Sequence, residues 1–243
     1  ALKSGPADVD LVVATLHVGD GVVFTGAAGA KPWETATNNA SSGKEVALVG
    51  LPSGARVLIE WADVGRVNDD DAAELTPQND VLLTRVKAAA KAPLVVDRWL
   101  RAPAYDAQAH DLSWCVSTNA GFDCAHRVLG RRGFLAISLL GDAKVARENA
   151  ETELASLLTS LAWKAGEDYG ATRKDGDGDG DGDAGYGLSA LVSSGAPVPV
   201  GHAKRVVGPR ARVLAAAAMG AIVAALLGAR SARRRMRGGG ASP

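Results

Sequence analysis

The feature that most constrains this chain is a run of 17 uncharged residues, Val213 to Ala229, bounded by Arg212 and Arg230. As a helix rising about 1.5 Å per residue it extends roughly 25 Å, against a hydrocarbon core of about 30 Å. Eight of its residues are alanine, so the run is only moderately apolar. Three structures compete for it. A surface amphipathic helix needs a polar face, and none exists between the two arginines. A helix buried in a soluble core would not be flanked by arginines at both ends and isolated behind a low-complexity linker. A spanning helix accounts for the run, its flanks and its position together, with Arg212 and Arg230 snorkelling to make up the missing length. The expectation is one transmembrane helix over 213–229.

Charge supports that division of the chain. Lys+Arg and Asp+Glu are both 27, giving zero formal net charge, which argues against a general nucleic-acid binder. The balance is segregated, however. No acidic residue follows Asp183, while Lys204, Arg205, Arg210, Arg212, Arg230, Arg233, Arg234, Arg235 and Arg237 all do. Five arginines after the apolar run against four basic residues before it place the tail in the cytoplasm by the positive-inside rule. The first residues, from Ala1, are not a signal peptide, so the expected form is a mature chain or fragment, and any export signal lies upstream.

Ahead of the run, composition divides the chain further. Residues 1–163 read as a folded domain. Residues 164–212 read as a tether, with a Gly-Asp repeat and then a small, apolar segment broken by Pro197 and Pro199. The basic tail occupies 230–243. Within the domain, Val9 to Val18 alternates as a strand, and Ala55 to Gly65 and Ala92 to Leu100 also look extended. Thr76 to Ala92 reads as a helix with Pro77 in its first turn. "DLSWCVS-TNAG-FDCAHRVL" is a hairpin centred near Asn119 and Ala120, and "GRRG" links a second hairpin to Phe134 to Leu140. A last helix, capped by Asp142, aligns Leu154, Leu157, Leu158 and Leu161 on one stripe. The expected fold is α+β: an antiparallel sheet of successive hairpins with two amphipathic helices on one face, plus the membrane helix.

Several residue groups are candidates for chemistry. Asp69, Asp70 and Asp71 fit either a helix start favoured by the helix dipole or a carboxylate metal site, with Glu60 or Asp63 as further ligands. Asp175, Asp177, Asp179 and Asp181 alternate with glycine as calcium loops do, but position twelve falls on Tyr186 or Leu188 instead of a bidentate acid, leaving a solvated linker with weak calcium binding at most. Arg127, Arg131 and Arg132 offer guanidinium groups at a glycine-bounded turn, suited to an anionic ligand or an acidic protein partner. Cys115 and Cys124 lie opposite each other on the first hairpin, where they form either a cross-strand disulfide or a pair of buried thiols. Tyr105, Asp106, His110 and Asp111 could be paired for acid–base work, although a plain loop before a strand explains them too. Ser41 and Lys44 match a Ser-x-x-Lys spacing without its accompanying motifs, and no His-Glu-x-x-His, Gly-x-Ser-x-Gly or Walker loop occurs.

Four stretches, "GRVNDDDAAEL", "YDAQAHDLSW", "RVLGRRGFLAISLLGD" and "YGLSALVSSGA", together with the opening "ATLHVGDGVVF", give the chain a likeness beyond composition. In that order they resemble an uncharacterised bacterial family of membrane-anchored proteins, domain of unknown function 2167. The likeness covers most of the chain. It departs at the Gly-Asp repeat and at Cys124, where relatives carry an aromatic. It implies an exported domain on a single-pass anchor, and it implies no reaction. The expected function is therefore a membrane-anchored, extracytoplasmic binding or scaffold domain without catalysis, whose partners are the bilayer and an unidentified protein or anionic ligand. Two other functions stay open. One is an envelope hydrolase or metal-dependent enzyme using Asp106 and His110 or the Asp69 group. The other is a tail-anchored protein with its domain in the cytoplasm.

Overall fold

The computed structural model describes residues 2–30, 42–90, 93–170 and 183–193. The run 213–229, the tail 230–243 and the repeat acids Asp175, Asp177, Asp179 and Asp181 lie outside the described residues. Among those described, no helix is long and apolar enough to cross a membrane.

The fold is α+β. Its centre is an eight-stranded antiparallel sheet in the order β1 (Lys3–Ser4), β4 (Val23–Gly26), β5 (Glu45–Gly50), β6 (Arg56–Asp63), β11 (Gly133–Asp142), β10 (Gly121–Gly130), β9 (Asp111–Thr118), β8 (Val96–Asp106). A three-stranded sheet orders β12 (Leu161–Trp163), β3 (Ala14–Val18) and β2 (Ala7–Asp10), and β7 (Arg66–Asn68) pairs in parallel with β13 (Asp183–Gly187). Among the described residues the helices that pack on the sheets include α1 (Asn79–Ala89), α2 (Arg147–Leu158) and α3 (Leu188–Ser193).

The sequence of β11, "GFLAISLLGD", is nearly continuously apolar because both faces of the sheet are covered. Leu135, Ile137 and Leu139 enter one core with Ala150, Leu154 and Leu157 of α2 and with Leu16 and Val18 of β3. Phe134 and Ala136 enter a second core with Leu82 of α1 and Leu188, Leu191 and Val192. The two main helices thus lie on opposite faces, not on the one face expected. A sheet strand with apolar residues at nearly every position cannot leave either side in water.

Both hairpin turns form as two-residue connections, Asn119-Ala120 between β9 and β10 and Arg131-Arg132 between β10 and β11. The residues that close them must be glycine. Gly121 sits at φ +139°, and a Cβ there would lie 2.1 Å from the Gly141 carbonyl oxygen. A Cβ on Gly133 would lie 1.9 Å from the Ala62 carbonyl oxygen on β6.

Other elements differ from the expectation for local reasons. Val9 to Val18 is a hairpin, not one strand: Asp10 Oδ1 accepts the Val12 N–H at 2.9 Å, and Val12 turns at φ +74°. The last helix begins at Arg147, because Asp142 spends its carboxylate on the Lys144 N–H at 2.8 Å. It ends at Leu158, so Leu161 sits in β12 beside β3 and does not extend the helical stripe. α1 starts at Asn79, three residues past Thr76. The folded unit also continues past Trp163 into residues read as tether. Lys164 N–H donates to the Val13 carbonyl at 2.9 Å, Tyr169 is buried, and Leu188, Leu191 and Val192 fill the second core.

Candidate functional site

Where β8 turns into β9, three chain segments bring polar side chains together. Asp106 shapes the turn by accepting the N–H groups of Gln108 and Ala109 at 2.8 and 3.1 Å. The chain then reaches His110, which adopts φ +48°, a left-handed conformation uncommon outside glycine. Its carbonyl accepts the Leu129 N–H at 2.9 Å, which holds that conformation in place. The turn folds His110 back on Tyr105, whose hydroxyl lies 3.0 Å from His110 Nδ1. From the end of β7, Asp69 Oδ2 accepts the Tyr105 hydroxyl at 2.8 Å.

Tyr169 completes the cluster from the segment after β12. Its hydroxyl lies 2.9 Å from the Val67 carbonyl and 3.1 Å from Asp69 Oδ1, and its ring meets that of His110 with centroids 4.4 Å apart. Arg66 stacks its guanidinium 3.9 Å from the Tyr169 centroid and donates through Nη1 to the Tyr169 carbonyl at 2.6 Å. Burial alone would raise the pKa of Asp69. The Tyr105 and Tyr169 hydroxyls, a backbone hydrogen bond and nearby His110 outweigh it and hold the carboxyl below its ordinary range. Burial and the Asp69 carboxylate push Tyr105 well above the usual phenol range, and the same causes push Tyr169 up to about 12. Asp69 is therefore the charged member and both tyrosines stay protonated.

The other acids of this region go elsewhere. Asp70 accepts from Asn68 Nδ2 at 3.0 Å, and Asp71 accepts the Leu188 and Ser189 N–H groups at 2.8 and 3.1 Å and the Ser189 hydroxyl at 2.8 Å. The three consecutive aspartates thus diverge to separate sets of partners. Glu60 instead accepts from the Ser42 hydroxyl, and Asp63 pairs with Arg132. Asp111 departs from Tyr105 and His110 to pair with His126 Nδ1 at 2.6 Å. Ser41 lies outside the described residues. Among the described residues, the group of three donors close enough to share an ion is Cys115, Cys124 and Glu151. Cys115 and Cys124 are joined to each other in a disulfide across β9 and β10. Glu151 Oε1 lies 3.1 Å from Cys115 Sγ and is held by Arg101 at 2.8 Å.

Residues 2–226 match the family described as "Protein of unknown function (DUF2167)". The chain belongs to this family. No curated protein and no solved structure matches it.

In this DUF2167 member the three arginines of the β10–β11 region do not converge. Arg127 is buried on the second face of the sheet, 5.0 Å from the Trp114 ring and 5.9 Å from that of Phe134, and donates to the His126 carbonyl at 2.9 Å. Burial lowers its pKa, opposed by the charges of Glu60, Asp123 and Asp111. On the same strand, burial pushes Asp123 up to about 6 despite the pull of Arg127. In the turn, the Arg132 side chain pairs with Asp63 at 2.6 Å and Glu167 at 3.0 Å, while the Arg131 N–H donates to the Glu167 carbonyl at 2.9 Å. Sequence reasoning missed Tyr169 and Arg66. The available signal was a lone aromatic, Tyr169, in an otherwise polar stretch.

Proposed function

We propose that this DUF2167 member is a membrane-anchored binding domain held outside the cytoplasm by a spanning helix at 213–229, with its arginine-rich tail on the cytoplasmic side. One observation carries the compartment. The Cys115–Cys124 disulfide joins two fully buried cysteines, and such bonds persist in oxidising compartments and are rare in the cytosol. The anchor rests on the apolar run and its flanking arginines. The family match continues to residue 226, most of the way through that run, so the run travels with the domain. Binding in place of scaffolding alone is supported by the convergence of Asp69, Tyr105, His110 and Tyr169 from three segments around a half-buried histidine.

Protease treatment of sealed, right-side-out membrane vesicles tests orientation. The domain is expected to be digested from outside, and Cys115 and Cys124 to resist alkylation until a reductant is added. A domain protected until the vesicles are lysed, with both thiols free, would reverse the orientation and overturn the proposal.

A further inference from the structure

The cluster around His110 contains enough hydrogen bonds to count its protons. Asp69 is the ionised member and can only accept, and its Oδ2 lies 2.8 Å from the Tyr105 oxygen. The Tyr105 hydroxyl has one proton, which therefore points at Asp69. His110 Nδ1, 3.0 Å from the same oxygen, must then be the donor, because two lone pairs at that distance would repel. The neutral ring is fixed as the Nδ1–H tautomer, and the lone pair resides on Nε2.

Nε2 is also reachable. Among the described residues nothing hydrogen-bonds it, and it is not one of the buried polar atoms left without a partner, so it meets solvent. The ring itself cannot easily turn away. It packs on Tyr169, whose hydroxyl is tied to Val67 and Asp69, and its backbone is held at φ +48° by the hydrogen bond from Leu129. Backbone of this kind persists where the surrounding structure over-determines it. A hydrogen bond from one ring nitrogen fixes the tautomer and orientation of a histidine that acts through the other, and here the Tyr105 hydroxyl, itself held by Asp69, accepts that bond.

We propose that His110 Nε2 is a hydrogen-bond-accepting site for a hydroxyl-bearing small molecule, with Tyr105 and Asp69 as positioning residues behind it. This rests on the reading of the chain as a binding domain and not on its anchor or its orientation. The ligand class follows from the pairing: with the Tyr105 and Tyr169 protons already spent on Asp69 and Val67, the oriented imidazole lone pair accepts from a donor hydrogen such as a hydroxyl, and gives no purchase to a molecule that only accepts.

Nitrogen NMR of the full-length chain in detergent micelles, labelled with ¹⁵N-histidine, tests it. The His110 signals are assigned by their loss in His110→Gln. The expected spectrum of the neutral ring has Nδ1 in the pyrrole-type region and Nε2 in the pyridine-type region. Tyr105→Phe removes the acceptor and is expected to return His110 to a mixture led by the Nε2–H form. A purely structural tyrosine would not move that ratio. Added glycerol is expected to shift the Nε2 resonance of His110 in the wild-type chain, while 1,2,3-trimethoxypropane, the same skeleton without hydroxyl protons, leaves it in place. An Nε2–H tautomer in the wild-type chain would overturn the proposal without any variant having to fold. So would equal responses to the two probes, or no response to either. The spectrum is indifferent to membrane orientation, so a reversed domain with the expected spectrum would remove the compartment reading alone.

Discussion

Reduction of Cys115–Cys124 gives the most quantitative prediction. The two residues are separated by 9 positions, and closing a loop of that length removes about 8.7 cal/mol/K from the unfolded chain, or about 2.6 kcal/mol at 25 °C. Both sulfurs sit in the core under α2, where reduction must part them in a packed site, so any native-state cost adds to the effect on the unfolded state. Against a typical total of about 5–15 kcal/mol that is a large fraction. The freed Cys115 thiol has Glu151 Oε1 at 3.1 Å as an acceptor, so the native state has a ready partner for its proton. Urea unfolding of the full-length chain in detergent, with and without reductant, reads the difference through buried Trp114 on the bonded strand. Mass spectrometry of alkylated samples fixes the sulfur state. A loss below about 0.5 kcal/mol, with both thiols verified as free, would refute the loop-closure argument.

Other predictions follow from single contacts. Asp123 has a folded pKa of about 6, above its ordinary 3.8, so its protonated form is favoured in the fold. Its contribution is complete below the unfolded pKa and is lost as pH rises through about 6. Asp123→Asn should therefore stabilise the chain by about 1–3 kcal/mol near pH 8 and by nothing near pH 3, measured as the difference in urea midpoint. Leu154→Ala, at a fully buried position under the sheet, should cost about 2–5 kcal/mol in the same assay. Gly133→Ala places a methyl against the Ala62 carbonyl and should lower the thermal midpoint, with a loss of at least about 1–3 kcal/mol. Arg132→Ala breaks ion pairs whose members are partly exposed, at 35% and 54% for Arg132 and Asp63, and should cost less than about 1 kcal/mol.

What could be read from the sequence was local. Asn119-Ala120 and Arg131-Arg132 were legible as turns because glycine and small polar residues interrupt alternating apolar runs, and the turns then set the Cys115–Cys124 register. The side of the sheet each helix covers was not legible, since an amphipathic stripe says that a helix is buried and not against which face. The Val12 turn escaped for a different reason. A β-branched residue at positive φ violates local preference, and only Asp10 and the later Lys164, whose Nζ reaches the Val12 carbonyl at 2.7 Å, make it tolerable. The site was half legible. Tyr105 and His110 stand five residues apart in one motif, but Asp69 lies 36 residues from Tyr105 and 100 from Tyr169, and no spacing rule spans such gaps. The three aspartates 69–71 read as one group in sequence, yet successive residues leaving β7 point to different neighbours.

Alkaline carbonate washing of membranes carrying the full-length chain shows whether residues 213–229 tie the domain to a bilayer. The protein is expected to remain in the high-speed pellet and to enter the supernatant once 213–229 is deleted. A full-length chain released by the wash as a well-behaved soluble species would contradict it.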